Sequence, residues 1–348
     1  VNMGDQDVNL AGVQMVQADV DGQLEGISFT FESQVLAPNE RTVVVKNIDA
    51  FRSRYTDDGL IAMGATYTGN LANSGERITL LDYAGRLILE FDYDDGGQWP
   101  GRADGRGSSL EVIDLAGDYN DADNWQSSID FGGSPGEMGS VNQHEILINE
   151  VLANSELPQQ DTVELANTTN QVVDLSGWFL SDSNNNYFKF QVPAGTTIPA
   201  GGYLVLDEQD FNAGGGSRSD DFLLSSQGDD LTLLAVRSDQ SMQFVDRVEF
   251  DATEPDVSLG RIPDAVATAS LLPQVRSTLA AENLGQRPAR IIISEVHYNP
   301  SGEDDALVEF IELYNNTTAA IDMAGWRIDG AVDFEFAPNA VALQAGQT

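Results

Sequence analysis

Cysteine is absent from this chain of 348 residues, which removes disulfides, thiolate nucleophiles and zinc–thiolate sites together. Positive charge is scarce: 17 Lys and Arg stand against 56 Asp and Glu, a formal charge of −39. Phosphate recognition needs Lys and Arg, so nucleic acid is excluded as an expected partner and cations, divalent metals first, are favoured. Much of the acid also reads as plain solvated surface. Histidine occurs only as His144 and His297, each at the end of a strand in a different part of the chain. A hydrolase would need a nucleophile or metal with a base, and these two cannot share a Ser-His-Asp site. This segment therefore reads as non-enzymatic, and a pair of carboxylates for glycoside cleavage cannot be told from the general acidity. No apolar run approaches the roughly 20 residues of a membrane span, so no membrane insertion is expected here.

What is present is a repeat. The block Ile146-Leu147-Ile148-Asn149-Glu150-Val151, then Val163-Glu164-Leu165-Ala166-Asn167, then Val173-Asp174-Leu175-Ser176-Gly177-Trp178, returns as Ile291-Ile292-Ile293-Ser294-Glu295-Val296, Ile311-Glu312-Leu313-Tyr314-Asn315 and Ile321-Asp322-Met323-Ala324-Gly325-Trp326. A third version begins at Val8-Asn9-Leu10-Ala11-Gly12-Val13. Repetition of one supersecondary unit indicates an array, and an array points to a scaffold before a catalyst. Between the blocks, short alternating apolar bursts are separated by Gly, Asn, Asp and Pro, the pattern of antiparallel strands and tight turns. Expected strands include Ile27 to Phe31, Thr42 to Lys46, Ile78 to Leu81, Leu87 to Phe91, Tyr203 to Leu206, Leu231 to Ala235 and Phe244 to Phe250. Ile48 to Tyr55 reads as a short helix. Aromatic pairs two residues apart (Phe29/Phe31, Phe188/Phe190, Phe334/Phe336) are expected to fill sandwich cores.

These blocks resemble the lamin tail domain, an immunoglobulin-like β-sandwich of nuclear lamins and of exported multidomain bacterial proteins. The resemblance rests on Glu150 and Glu295, on Glu164 to Asn167 and Glu312 to Asn315, and on the Leu/Met-X-Gly-Trp strands. It implies an all-β fold of tandem sandwiches, the first and third incomplete. The expected divisions are 1–142 (lacking its opening strands), 143–275 (complete), a linker at 276–289, and 290–348 as the first half of a third sandwich. Gly132 to Ser140 is expected to be a flexible joint, and the second unit to lack the long Asp-rich closing segment of the first. The missing strands are expected either from a longer polypeptide or by strand complementation between identical chains.

Three turns place oxygen ligands at alternate positions, as calcium loops do. They are Asp92, Asp94 and Asp95; Asp118, Asn120, Asp121 and Asp123; and Asp182, Asn184 and Asn186. None has the Glu that closes an EF-hand, and Asx-rich turns also bond to their own backbone without metal. Ca2+ is the one cofactor suggested. Trp99 and Trp125 lie in long loops, where they either cap the sandwich or offer a platform for a surface glycan or protein. The expected function is an extracellular or cell-surface bacterial stalk, matrix, filament or adhesive protein. The alternatives are an accessory region of a secreted enzyme such as a nuclease or phosphatase, and a calcium-dependent carbohydrate-binding module.

Overall fold

The computed structural model describes residues 1–62, 66–139, 144–299, 308–330 and 332–348. The expected boundary at 142/143 lies outside the described residues. In the first unit β1 (Val8–Asn9) pairs with β5 (Val35–Leu36), while β2 (Gln14–Val16), β3 (Ala18–Val20), β4 (Gln23–Thr30), β7 (Glu76–Leu81) and β8 (Leu87–Tyr93) form a sheet in the order β3-β4-β2-β7-β8. Strand β6 (Thr68–Asn70) lies against β4, and β9 (Leu110–Val112) pairs with β10 (Trp125–Ser127). Period two puts Ile27, Phe29 and Phe31 on one buried face. The expected helix forms as α1 (Ile48–Arg52), capped by the Asn47 side chain on the Ala50 N–H.

The second unit has two packed sheets. One holds β11 (Ile146–Leu152), β12 (Thr162–Asn167), β17 (Tyr203–Asp207), β20 (Leu259–Arg261) and β21 (Leu271–Pro273) in the order β17-β12-β11-β20-β21. The other is β15-β14-β18-β19, from β14 (Phe179–Ser181), β15 (Phe190–Gln191), β18 (Gly228–Val236) and β19 (Met242–Asp251). A flanking pair joins β13 (Val173–Asp174) to β16 (Thr197–Ile198), and the short helix α2 (Glu208–Phe211) follows β17. Every residue of β11 and β12 is buried, and one continuous core includes Ile146, Ile148, Leu165, Trp178, Leu231 and Val245. This unit closes with the short strands β20 and β21, without the long Asp-rich turn of the first unit.

The third unit carries β22 (Ile291–His297) paired with β23 (Phe310–Asn315), and β24 (Arg327–Ile328) paired with β25 (Phe334–Glu335). Its hairpin repeats the β11–β12 register, bulge included, with Glu295 opposite Glu312 where the second unit has Glu150 opposite Glu164. Here the same apolar strand is largely exposed, Ile293 at 57% and Val296 at 50%.

One turn is common to all three units. Gly12, Gly177 and Gly325 have φ of 80°, 80° and 73°, a left-handed conformation in which a side chain is strained. Each donates its N–H across the sheet, to Phe31, Val192 and Phe336 respectively, and the next residue (Val13, Trp178, Trp326) accepts from the same partner. This registers Phe31 with Val192, not with Phe190, and two expected core pairs are corrected: Phe188 is 41% exposed and packs on Phe131 and Phe179 instead, and Phe334 is 49% exposed.

Asn167 and Asn315 are buried knots. Asn167 donates to the carbonyls of Gln171, Ile198 and Pro199 and accepts from the Thr169 N–H and hydroxyl; Asn315 does the same with Ala319, Leu343 and Thr317. Asn2 is the equivalent in the first unit, bonding Leu36 and Gln6. Replacing Asn167 by Ala leaves buried carbonyls without donors, and is expected to cost about 2 kcal/mol in denaturant unfolding of the second unit; a loss within error would reduce the knot to decoration.

Candidate functional site: acidic loops, closing strap and joint

The acidic loops are built as Asx turns. Asp118 Oδ1 accepts from the Asn120 N–H at 2.9 Å, Asp121 Oδ1 from the Asp123 N–H at 3.0 Å, and Asp94 Oδ1 from the Gly96 N–H at 2.9 Å. The first two loops meet, because Asn120 Oδ1 accepts from the Asp92 N–H at 3.0 Å. Asp92 is also held by Arg77 at 2.9 Å, and this hydrogen bond keeps its carboxyl below the usual range. Backbone N–H groups of Gly96 and Asp95 do the same for Asp94, while Asp95 is exposed at the tip. The third loop is remote from them in sequence and carries its own cation: Lys189 pairs with Asp182, Asn184 donates to Asp230, and Asn186 Oδ1 accepts from Phe188. An oxygen holding one N–H keeps a lone pair for a cation, so these loops retain acceptors. Among the described residues no cluster of three or more His, Asp or Glu side chains is arranged to hold a metal ion, and no helix is long and apolar enough to cross a membrane.

Trp99 and Trp125 come together in a half-buried aromatic cluster with Phe91 and Tyr119, their two rings 5.8 Å apart. The Trp125 indole N–H donates to the Tyr119 carbonyl at 3.0 Å. The polar edge of the ring is thus spent inside the loop, which suits a cap on the sandwich end.

The most organised polar site was not singled out from sequence. Glu150 and Glu164, fully buried, face each other across β11 and β12. Residues 277–283 lie over them as a strap, although 276–289 is expected to be a linker. Ser277 Oγ and the Thr278 N–H and hydroxyl donate to Glu150; the Ala280 N–H donates to Glu164. The Asn283 N–H and Tyr203 hydroxyl donate to Asp264, and Asn149 bridges Glu164 and Asp264. Burial pushes the Glu164 carboxyl up to about 7, with hydrogen bonds from Asn149 and Ala280 opposing and the charges of Glu150 and Asp264 adding. Buried carboxylates need donors, and the strap supplies them, which is why it is not a free linker. A Glu in the middle of two apolar strands, at the same place in both repeats, was the available signal.

The joint between the first two units is also ordered. Phe131 donates its N–H to Met242 O, and Phe244 donates to Ile129 O, so Ile129 to Phe131 extend the free edge of β19. Gln243 Nε2 donates to Asp130 Oδ1 at 2.7 Å. Phe131 packs on Tyr187, Phe188 and Phe244, and the Arg102 guanidinium lies 4.1 Å from the Phe244 ring. The Gly-rich stretch expected to be flexible is pinned on the first unit: the Gly132 N–H donates to Gly107 O, Tyr55 to Gly132 O, and Ser134 to Glu111. Residue 140 lies outside the described residues.

Two packed antiparallel sheets, with the same glycine turn repeated through the chain, define a tandem array of immunoglobulin-like β-sandwiches. The family model of the Lamin Tail Domain matches residues 140–251 and 285–348, and the chain belongs to that family. No curated protein and no solved structure matches it. The first unit lies outside the matched segments and carries Val13 where the other two have Trp.

Proposed function

We propose that this chain is a structural protein, a stalk, matrix, filament or adhesive component outside the cell or on its surface, whose lamin-tail sandwiches serve as spacers. The observation that carries this reading is the joint, in which one unit adds backbone hydrogen bonds and an aromatic plug to the edge of the next. Such a joint transmits orientation, as a strut must and a tether need not. Calcium bound at Asp118 to Asp123 and Asp92 to Asp95 would stiffen these loops of the first unit.

Small-angle scattering of the whole chain tests the reading. One extended conformer is expected, broadening into a flexible ensemble when Phe131→Ala removes the plug, a loss of roughly 2 kcal/mol. Equal flexibility in both proteins would overturn the strut. Calorimetric titration with calcium should give uptake lost in Asp118→Ala/Asp121→Ala; no heat from the native chain would remove calcium from the proposal.

A further inference from the structure

Val163 and Leu165 of β12 belong to the core of the second unit, so Glu164 between them points to the outer face of the five-stranded sheet, with Glu150 opposite it. A carboxylate so placed is ordinarily solvated. Here both are buried, because the strap lies across that face. The strap itself has no apolar anchor: no residue from 275 to 290 is buried. Its hold is polar, through the bonds to Glu150, Glu164 and Asp264 given above and through Asn283 Nδ2, which donates to the carbonyls of Asn149 at 3.1 Å and Arg261 at 3.0 Å.

The ends of the strap are tied to each other, Gln274 bridging Gln286 and the Arg287 N–H donating to Pro273 O at 2.7 Å. A loop closed at its base and fixed by hydrogen bonds alone can lift while the strands beneath it, packed through their other face, stay folded. The seat is also close-fitting, since a Cβ on Gly260 would run into the Gln274 and Asn283 side chains. We propose that residues 275–285 are a proton-operated lid. Docked, it seals Glu150 and Glu164; lifted, it leaves the sandwich intact and opens an acidic cleft of Glu150, Glu164 and Asp264 to water.

The charges around the pair set the balance. Glu164 is faced by Glu150 from β11 and by Asp264 from the closing turn, while β17 brings the Tyr203 hydroxyl onto Asp264 and the lid brings Glu282 near that tyrosine. Arg261 of β20 is committed to Asp246, and no cation acts on Glu164. With the lid docked, burial pushes the Glu164 carboxyl up to about 7; lifted, it is hydrated and returns toward its ordinary 4.5. Between these values the docked form binds more protons, so docking is fully favoured below 4.5 and weakens as pH rises to 7.

Amide exchange of the whole chain tests the lid, each rate being corrected for the intrinsic effect of pH. Between pH 5 and 8 the opening constant read at the Thr278, Ala280 and Asn283 N–H groups is expected to rise on the order of 100-fold, while the amides of β12 and β18 stay far better protected at both values. Glu164→Gln should remove that pH dependence. Gly260→Ala, whose methyl displaces Gln274 and Asn283, should raise opening at pH 5; Thr278→Val, which deletes a donor to Glu150 from the loop itself, gives the same reading if the alanine disturbs β20. Strap amides that exchange only together with those of β12 would show that the lid never lifts alone, and an opening constant equal at pH 5 and 8 would remove the proton as its operator; either overturns the proposal. The Phe131 joint takes no part in this exchange, so the scattering test of the strut succeeds or fails independently.

Discussion

Arg261→Met is expected to destabilise the second unit by about 3–5 kcal/mol, the cost of removing one partner from a buried ion pair. Arg261 is 3% exposed and holds three parts of the fold at once. Its Nη2 donates to both oxygens of Asp246 at 3.0 and 2.9 Å, its Nε to Ile148 O at 2.9 Å, and its Nη1 to the carbonyls of Ala267 and Ala269 at 2.8 Å. Asp246 in turn accepts from the Ile148 N–H at 2.7 Å, which ties β19 of one sheet to β11 of the other. Burial pushes the Asp246 carboxyl up and Arg261 opposes that shift, so without Arg261 the carboxylate is stranded. The distinguishing measurement is a double-mutant cycle in denaturant unfolding, read by amide exchange in β18. Asp246→Asn keeps an acceptor for Ile148 but no charge, so Arg261→Met/Asp246→Asn should cost less than Arg261→Met alone. A double variant at least as unstable as the sum of the singles would deny the stranded-charge account.

Arg261 also shows what a sequence can and cannot reveal about such a chain. The strands of the second unit were legible because alternation and repetition report a buried face directly: Ile146, Ile148 and Val151, or Tyr203 to Leu206, announce themselves by period two. The three-fold repeat was legible for the same reason, down to the glycine whose left-handed turn every unit needs. What stayed hidden depends on tertiary partners. Leu259-Gly260-Arg261 is too short to show periodicity, and its Arg looks like surface until Asp246 is placed beside it. Residues 277–283 have the Ser, Thr, Ala and Asn of a linker, yet those small polar groups are the donors that Glu150 and Glu164 require. Val43 to Lys46 has strand composition but gains one isolated bridge, Val43 to Ile61, because strand formation needs a partner. Phe188, matched by spacing to a core ring, instead packs against Phe131 at the joint, since spacing cannot tell the inner face of a sheet from an interface. The acidic loops were visible as loops, while their hydrogen bonding, and the Lys189 charge beside Asp182, were not.

Between about pH 4.5 and 7 the stability of the second unit should fall as pH rises, by about 3 kcal/mol from Glu164 alone. The unfolded chain releases this proton near the ordinary value of 4.5, whereas the folded unit keeps it until about 7. In that window the native state binds more protons, so raising the pH favours unfolding; the stabilisation is complete below 4.5 and lost above 7. The charges around Glu164 act in one direction, and only neutral hydrogen bonds oppose them. Glu150 faces it from β11 and Asp264 from the closing turn, both acidic, while Asn149 and the Ala280 N–H bring dipoles but no positive charge. Tyr203, its hydroxyl on Asp264, has its ionisation pushed up by burial and stays neutral throughout. Glu164→Gln removes the titration and should flatten the curve. A single amide oxygen accepts only one of the two bonds now made, which costs about 1 kcal/mol, so the variant is slightly weaker at pH 5 and stronger than the native chain at pH 8. Urea unfolding at several pH values, read by amide exchange in β11 and β12, measures both curves, and parallel slopes would show that Glu164 is not the group that titrates. If the curves cross as expected, the strap loosens toward alkaline pH, because Glu164 then carries a charge beside two other acidic residues, with no cation among the groups that hold it.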